Sequence, residues 1–199
     1  MKDLSRLQTG LLLSLALLFI HGPLLFQSGA LQRDIVLQSY PWLYYEQLCL
    51  QAGRLPTWNP YLACGYPMGA DPQSQVWYPL HLLLKWMPTV TEMTLRCFLL
   101  LHFALSAWFL YLFARSLARS RRAALIAALA YSSSGFFLGH GEHYSWIVAQ
   151  CWLTATLLFC QRYLQANQKQ YVIAAGLTYG LAILGGYPGL VAAGGLALL

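Results

Sequence analysis

DIVLQSYPWLYYEQLCLQAGRLPTWNPYLACGYPMGADPQSQVWYPL, residues 34–80, decides the fold. It lies between two apolar segments, each near the length of about 20 residues that a bilayer crossing needs. The stretch itself has no long apolar run, holds Asp34, Glu46 and Asp71, and is punctuated by Pro and Gly where turns are required. It therefore reads as a large loop outside the membrane, with the rest of the chain as its support. Pro41 suits a first helical turn and Gly53 a C-terminal cap, so a short helix is expected over 41–52. Trp42, Tyr45, Cys49 and Ala52 form its apolar face and Glu46, Gln47 and Gln51 its polar one, the pattern of a helix lying along a membrane surface. The aromatics Trp58, Tyr61, Trp77, Tyr78 and Trp86 suit headgroup depth.

Outward from this loop, 58% of residues are apolar, 9% are charged, and the apolar residues come in blocks. Soluble domains do not show that pattern. The net charge of +6 does not point to nucleic acid, because Lys and Arg gather at the ends of apolar blocks and form no basic face interleaved with aromatics. The expectation is an all-α polytopic membrane protein of five to six transmembrane helices, with a large first extracytoplasmic loop bearing short interfacial helices. In a single membrane domain over 1–199, the spans are placed at 9–28, 93–114, 123–139, 145–162 and 171–186, with 189–199 starting a sixth and 29–92 as the loop. A cleaved signal peptide is the rival for the first span, since Ser28, Gly29 and Ala30 form a small-residue site. Lys2 and Arg6, the cluster Arg115, Arg119, Arg121 and Arg122, and Arg162 with Lys169 fall on one side, which the positive-inside rule makes cytoplasmic. The last stretch, GGYPGLVAAGGLALL, stays apolar to its end, so the chain is expected to be the N-terminal part of something longer.

Five cysteines lack CxxC spacing. Cys49 and Cys64 share the outer loop, where bridged and free states are both open. Asp34, beside Arg33 just past the first span, is either an ion-pairing or capping aspartate or a general base whose partial desolvation favours proton uptake. Asp71, before Pro72, reads as a turn former. His140, Glu142 and His143 form a second outer polar cluster: a hydrated turn, a substrate- or phosphate-binding group, or ligands to a divalent cation, although HGEH matches no zinc motif. Arg33 and Arg54 are the outer cations nearest the carboxylates, and each either holds a phosphate or serves only the surface. Gly185, Gly186, Tyr187 and Pro188 loosen a helix either beside protein or a cavity, or simply at its end.

The order of these pieces resembles a known family. D34xxxQ38xxPW, then GRLPTWNPYLACGYPMGADPQ from Gly53, YPL, a later GH turn with a tryptophan and a GGYP segment is similar to the N-terminal half of bacterial YfhO-like membrane proteins, within the GT-C superfamily of glycosyltransferases. The resemblance covers nearly the whole chain, and the GxLPxWNP run with the following GYP and PQ is its most specific part. It implies an enzyme of the bacterial cytoplasmic membrane that takes a sugar from a polyprenyl-phosphate carrier and passes it to a glycan, lipid or protein acceptor on the outer face. Asp34 matches the acidic base of the first outer loop in such enzymes, while five or six crossings depart from their usual eight or more. The competing class is a non-catalytic transporter or assembly factor for cell-envelope polymers, with the loop as a lid.

Overall fold

The computed structural model describes residues 5–26, 33–117 and 120–198. Lys2, Arg119, the Ser28–Ala30 site and Leu199 lie outside them. Regular structure among the described residues is helical, apart from one antiparallel bridge between Asn59 and Tyr66. The first helix, α1 (Arg6–His21), starts at a capping box: Ser5 Oγ accepts from the Gln8 amide and Gln8 Oε1 accepts from the Ser5 amide, satisfying two orphan donors. A short α2 (Pro23–Phe26) follows, and its Leu24 carbonyl accepts from the buried Arg96 guanidinium at 2.7 Å.

The loop carries α3 (Tyr40–Gln51), close to the expected helix; Trp42 and Cys49 are buried and Gln51 is exposed as expected, but two of its polar residues are buried as well. Glu46 and Gln47 are buried while Tyr44 and Leu48 are exposed, so most of the polar side of α3 is turned into the protein. The reason lies in what covers it. A 3₁₀ segment, Pro79–Trp86, and the irregular stretch that follows it to Val90 lie over this face. Gln47 Nε2 donates to the Leu84 and Met87 carbonyls, and its Oε1 accepts from the Val90 amide at 2.6 Å. Burying an amide is tolerable when donors and acceptor are all engaged. Tyr78 also departs from expectation: it is buried in the core, whereas Trp58, Tyr61, Trp77 and Trp86 are exposed. Cys49 and Cys64 are free thiols, the first buried and the second exposed.

After the loop come α4 (Glu92–Leu117), α5 (Arg121–Ser132), α6 (Gly135–Gly139), α7 (Tyr144–Ala166), α8 (Lys169–Leu184) and α9 (Pro188–Ala197). At 1.5 Å per residue α4 is about 39 Å long, beyond the roughly 30 Å of a hydrocarbon core. Among the described residues it is the one helix both long and apolar enough to cross a membrane; Leu7–His21 and Pro188–Ala197 are apolar but shorter. The helix expected over 123–139 is interrupted. Ser132 and Ser133 turn their hydroxyls onto the Leu129 carbonyl, and Ser134 adopts an extended conformation that starts α6, since serines compete with the helix for its own backbone. The centre of the bundle is α7, packed on α8 and α4, with α5 against α4. Its core joins loop and helices in one cluster, including Ile35, Leu43, Tyr78, Leu95, Phe103 and Ile147.

Candidate functional site

Between Asp34 and α3 the backbone runs as a π turn, Ile35–Ser39, and Arg33 before it has a φ of 43°. A left-handed non-glycine residue leading into a widened turn is costly, and both features concentrate at functional positions. Asp34 makes no capping hydrogen bond. Its carboxylate faces His143 instead, Oδ2 to Nε2 at 3.6 Å, while Arg33 Nη1 lies 3.7 Å from Glu142 Oε1. His140 and His143 approach at 3.4 Å between their Nδ1 atoms. Two segments more than a hundred positions apart thus bring Arg33, Asp34, His140, Glu142 and His143 together. The Asp34 side chain is 54% exposed, so the protein itself leaves about half of it uncovered.

Two further segments complete the corner. Asp71 caps the Pro72–Ser74 turn through the Gln73 amide and accepts from Tyr66, whose hydroxyl is thereby pushed up to about 12, with partial burial adding to the effect. This is the turn-forming role expected of Asp71. The turn delivers Gln73, whose Oε1 accepts from Gln38 at 3.2 Å. Behind it stands the GGYP segment: Gln75 Nε2 donates to the Gly185 carbonyl at 2.8 Å, and Tyr187 stacks on Trp146 at 4.0 Å, which stacks in turn on His140. Gly186, at a φ of +92°, leaves no room for a side chain, since a Cβ would strike the Pro72 carbonyl oxygen. We expect Gly186→Ala to destabilise the protein by about 1–3 kcal/mol through this strain and to separate Gln73 from Gln38. Gly189→Ala, whose Cβ would meet only the Tyr187 ring at 3.7 Å, is expected to be mild. Thermal unfolding in detergent reads the difference.

These parts enclose a polar cleft lined by Asp34, Gln38, Gln73, His143, Ser145 and Trp146 among others, with a volume of about 50 Å³. That is well below the roughly 300–1,000 Å³ of ligand pockets, so the cleft is a reactive corner and not a whole substrate site. A larger groove of about 520 Å³ runs along the exposed side of the same helix, past Leu37, Tyr40, Trp42, Tyr44, Leu48 and Tyr61. Arg54 does not join the cleft. It sits beyond the C-terminal end of α3 near Tyr45, with α3 alone about 18 Å long between it and Asp34. No group of three or more His, Cys, Asp and Glu side chains among the described residues is arranged to hold a metal ion.

Sequence reasoning missed a second polar cluster, buried directly behind the cleft. Glu46 Oε2 meets His81 Nδ1 at 2.9 Å, and His81 Nε2 meets the Tyr144 hydroxyl at 3.3 Å. Burial holds the Glu46 carboxyl above its ordinary range, and the His81 imidazole opposes that rise. Glu46 Oε1 has no hydrogen-bond partner among the described residues. Alongside, the Phe98 carbonyl accepts from His102 Nδ1, so His102 Nε2 accepts from the Tyr78 hydroxyl, whose oxygen takes the Trp152 indole N–H at 2.7 Å. A lone carboxylate on a helix otherwise rich in aromatics was the available signal, but its partner lies 35 positions away.

A helical scaffold with one bilayer-length apolar helix, on which a loop carboxylate and guanidinium meet the histidines and carboxylate of the turn before α7, is consistent with a membrane-associated protein. More particularly, the chain belongs to the dolichyl-phosphate-mannose-protein mannosyltransferase family, a GT-C-related glycosyltransferase family whose sequence model matches residues 79–198. The matched stretch includes His81, the 140–146 cluster and the GGYP segment, and begins after Asp34. No curated protein and no solved structure matches the chain significantly.

Proposed function

We propose that the chain is a membrane glycosyltransferase, of the YfhO-like kind within GT-C, that moves a sugar from a polyprenyl-phosphate carrier to an acceptor on the outer face of the bacterial cytoplasmic membrane. The observation that carries this reading is the meeting of Asp34 with His143, and of Arg33 with Glu142, in one cleft beside a groove of ligand size. Asp34 takes the proton of the acceptor hydroxyl as that oxygen attacks the anomeric carbon, and the bond from that carbon to the carrier's phosphate oxygen breaks. The departing phosphate gathers negative charge, which Arg33 and the His140–His143 turn are placed to stabilise. A single displacement inverts the anomeric centre. The apolar groove along α3 suits the carrier chain. Family membership supports the general class of sugar donor and acceptor. The multi-pass arrangement, with the six spans placed as above and a cytoplasmic N-terminus, puts loop, cleft and groove together outside. Arg54, exposed and apart, serves the loop or an acceptor at its far end.

The test is single-turnover transfer from a polyprenyl-phosphate sugar by the full-length protein in nanodiscs, paired with labelling of intact cells. Transfer is expected. So is reaction of the exposed Cys64 with a membrane-impermeant maleimide, while Cys at Ser120 stays unlabelled. Outward labelling of Ser120→Cys would overturn the orientation, and an outward Cys64 without transfer from any carrier would favour the transporter or assembly-factor class.

A further inference from the structure

The N-terminal end of α7 forms one wall of the cleft, and the turn leading into it is held by its own backbone hydrogen bonds and ring contacts and by Arg33 and Asp34 at its surface, with open space beside its glycines. Gly139 would meet nothing if given a Cβ, and Gly141 only the Phe137 carbonyl oxygen at 3.6 Å. His143, the residue facing Asp34, precedes the helix without a side-chain cap of its own. Tyr144, the first helical residue, is different. It lines the cleft, and its ring is buried against His81, parallel at 6.0 Å.

We propose that the buried chain Glu46–His81–Tyr144 is the positioning element of the cleft, pinning the start of α7 so that His143 is held against Asp34. This rests on the reading of Asp34 as the base. The chain links α3, the Pro79–Trp86 segment and α7, the three elements whose relative placement sets the distance between Asp34 and His143. Its direction follows from counting protons. If the Glu46–His81 pair shares one exchangeable proton beyond the neutral ring's own, that proton sits either on the carboxyl or on Nδ1. In both arrangements His81 Nε2 carries a hydrogen and donates to the Tyr144 oxygen. Pure stability would not select this chain, because a buried carboxylate–imidazole pair seldom outdoes apolar residues of the same shape and Glu46 Oε1 is besides left without a hydrogen bond among the described residues. What it provides is a buried anchor for α7 where the partly exposed 140–143 turn joins it.

Two variants test this in the full-length protein. Tyr144→Phe deletes only the hydroxyl. Glu46→Leu with His81→Phe replaces the polar chain by apolar groups of similar shape, an exchange expected to be near neutral or stabilising. In both, His143 should react with diethyl pyrocarbonate severalfold faster, read by mass spectrometry, while the buried His21 and His102 stay slow. Turnover should fall by about 10- to 10²-fold, the scale of a small misplacement of a reacting group, with the donor KM unchanged. Unchanged His143 reactivity in a folded variant overturns the proposal, as does a joint rise at all histidines, which means general loosening. Faster His143 modification with wild-type turnover upholds the positioning and counts instead against Asp34 as the base.

Discussion

Asp34→Asn is expected to lower glycosyl transfer by about 10² to 10⁴, the range of a lost general base, with expression and donor binding little changed. Asparagine keeps the shape and the contact with His143 but cannot take a proton from a hydroxyl. The alternative roles of Asp34 predict something else. Capping is not what the side chain does, and an ion pair with a partly exposed imidazole is worth about 0–1 kcal/mol, so that role would leave turnover of the folded fraction intact. Asp71→Asn is the matched comparison, since an amide oxygen can still accept from the Gln73 amide, and transfer should be nearly normal. The assay is single-turnover transfer normalised to folded protein. Wild-type turnover in Asp34→Asn would shift the base to Glu142.

His81→Phe is expected to have the largest effect on stability. It keeps a flat ring between Phe98 and Tyr144 but leaves the Glu46 carboxyl buried without a partner, a loss of about 3–5 kcal/mol. Adding Glu46→Leu should recover most of it. The pH dependence has a definite sign. The folded Glu46 carboxyl already lies above its ordinary value of 4.5 because of burial, and His81 opposes that rise. The folded state therefore keeps a proton that the unfolded chain has lost, so stability declines as pH climbs from 4.5 to the folded value. Without His81 the opposing contributions disappear and the decline extends further upward. The single variant should thus be weakest at neutral pH and recover on acidification toward 4.5, as melting temperatures across a pH series would show. A flat series would mean that Glu46 is solvated.

The positions of the helices were largely legible, because apolar blocks, capping residues and Pro–Gly punctuation act locally: Pro41 and Gly53 bracket α3, and α4 covers the block expected at 93–114. The break after α5 was not, since a serine run does not announce whether it will stay helical or bond back onto Leu129. For the site, assigning Asp34 and the HGEH turn to one side of a membrane was enough to group them, and the structure places them within contact. Arg54 was grouped by charge alone and stands apart. Glu46 and Gln47 were misjudged because a helix by itself gives polar residues to water. The Leu84, Met87 and Val90 backbone and the His81 ring that cover them arrive from 35 to 43 positions later, and no local pattern encodes that cover. Tyr78 fell to the same cause: a tyrosine beside Trp77 looks interfacial until His102 and Trp152 are brought to its hydroxyl.

The contact between Gln75 and the Gly185 carbonyl spans 110 positions, and it sets a clock on biogenesis. At about 5–20 residues added per second, the ribosome needs on the order of 5–20 s after making the DPQSQ turn before the glycines that back it exist. Through that interval the nascent loop must wait with its carboxylates and aromatics in place but its corner unassembled, which makes it a natural client for chaperones and a target for proteases if translation stalls.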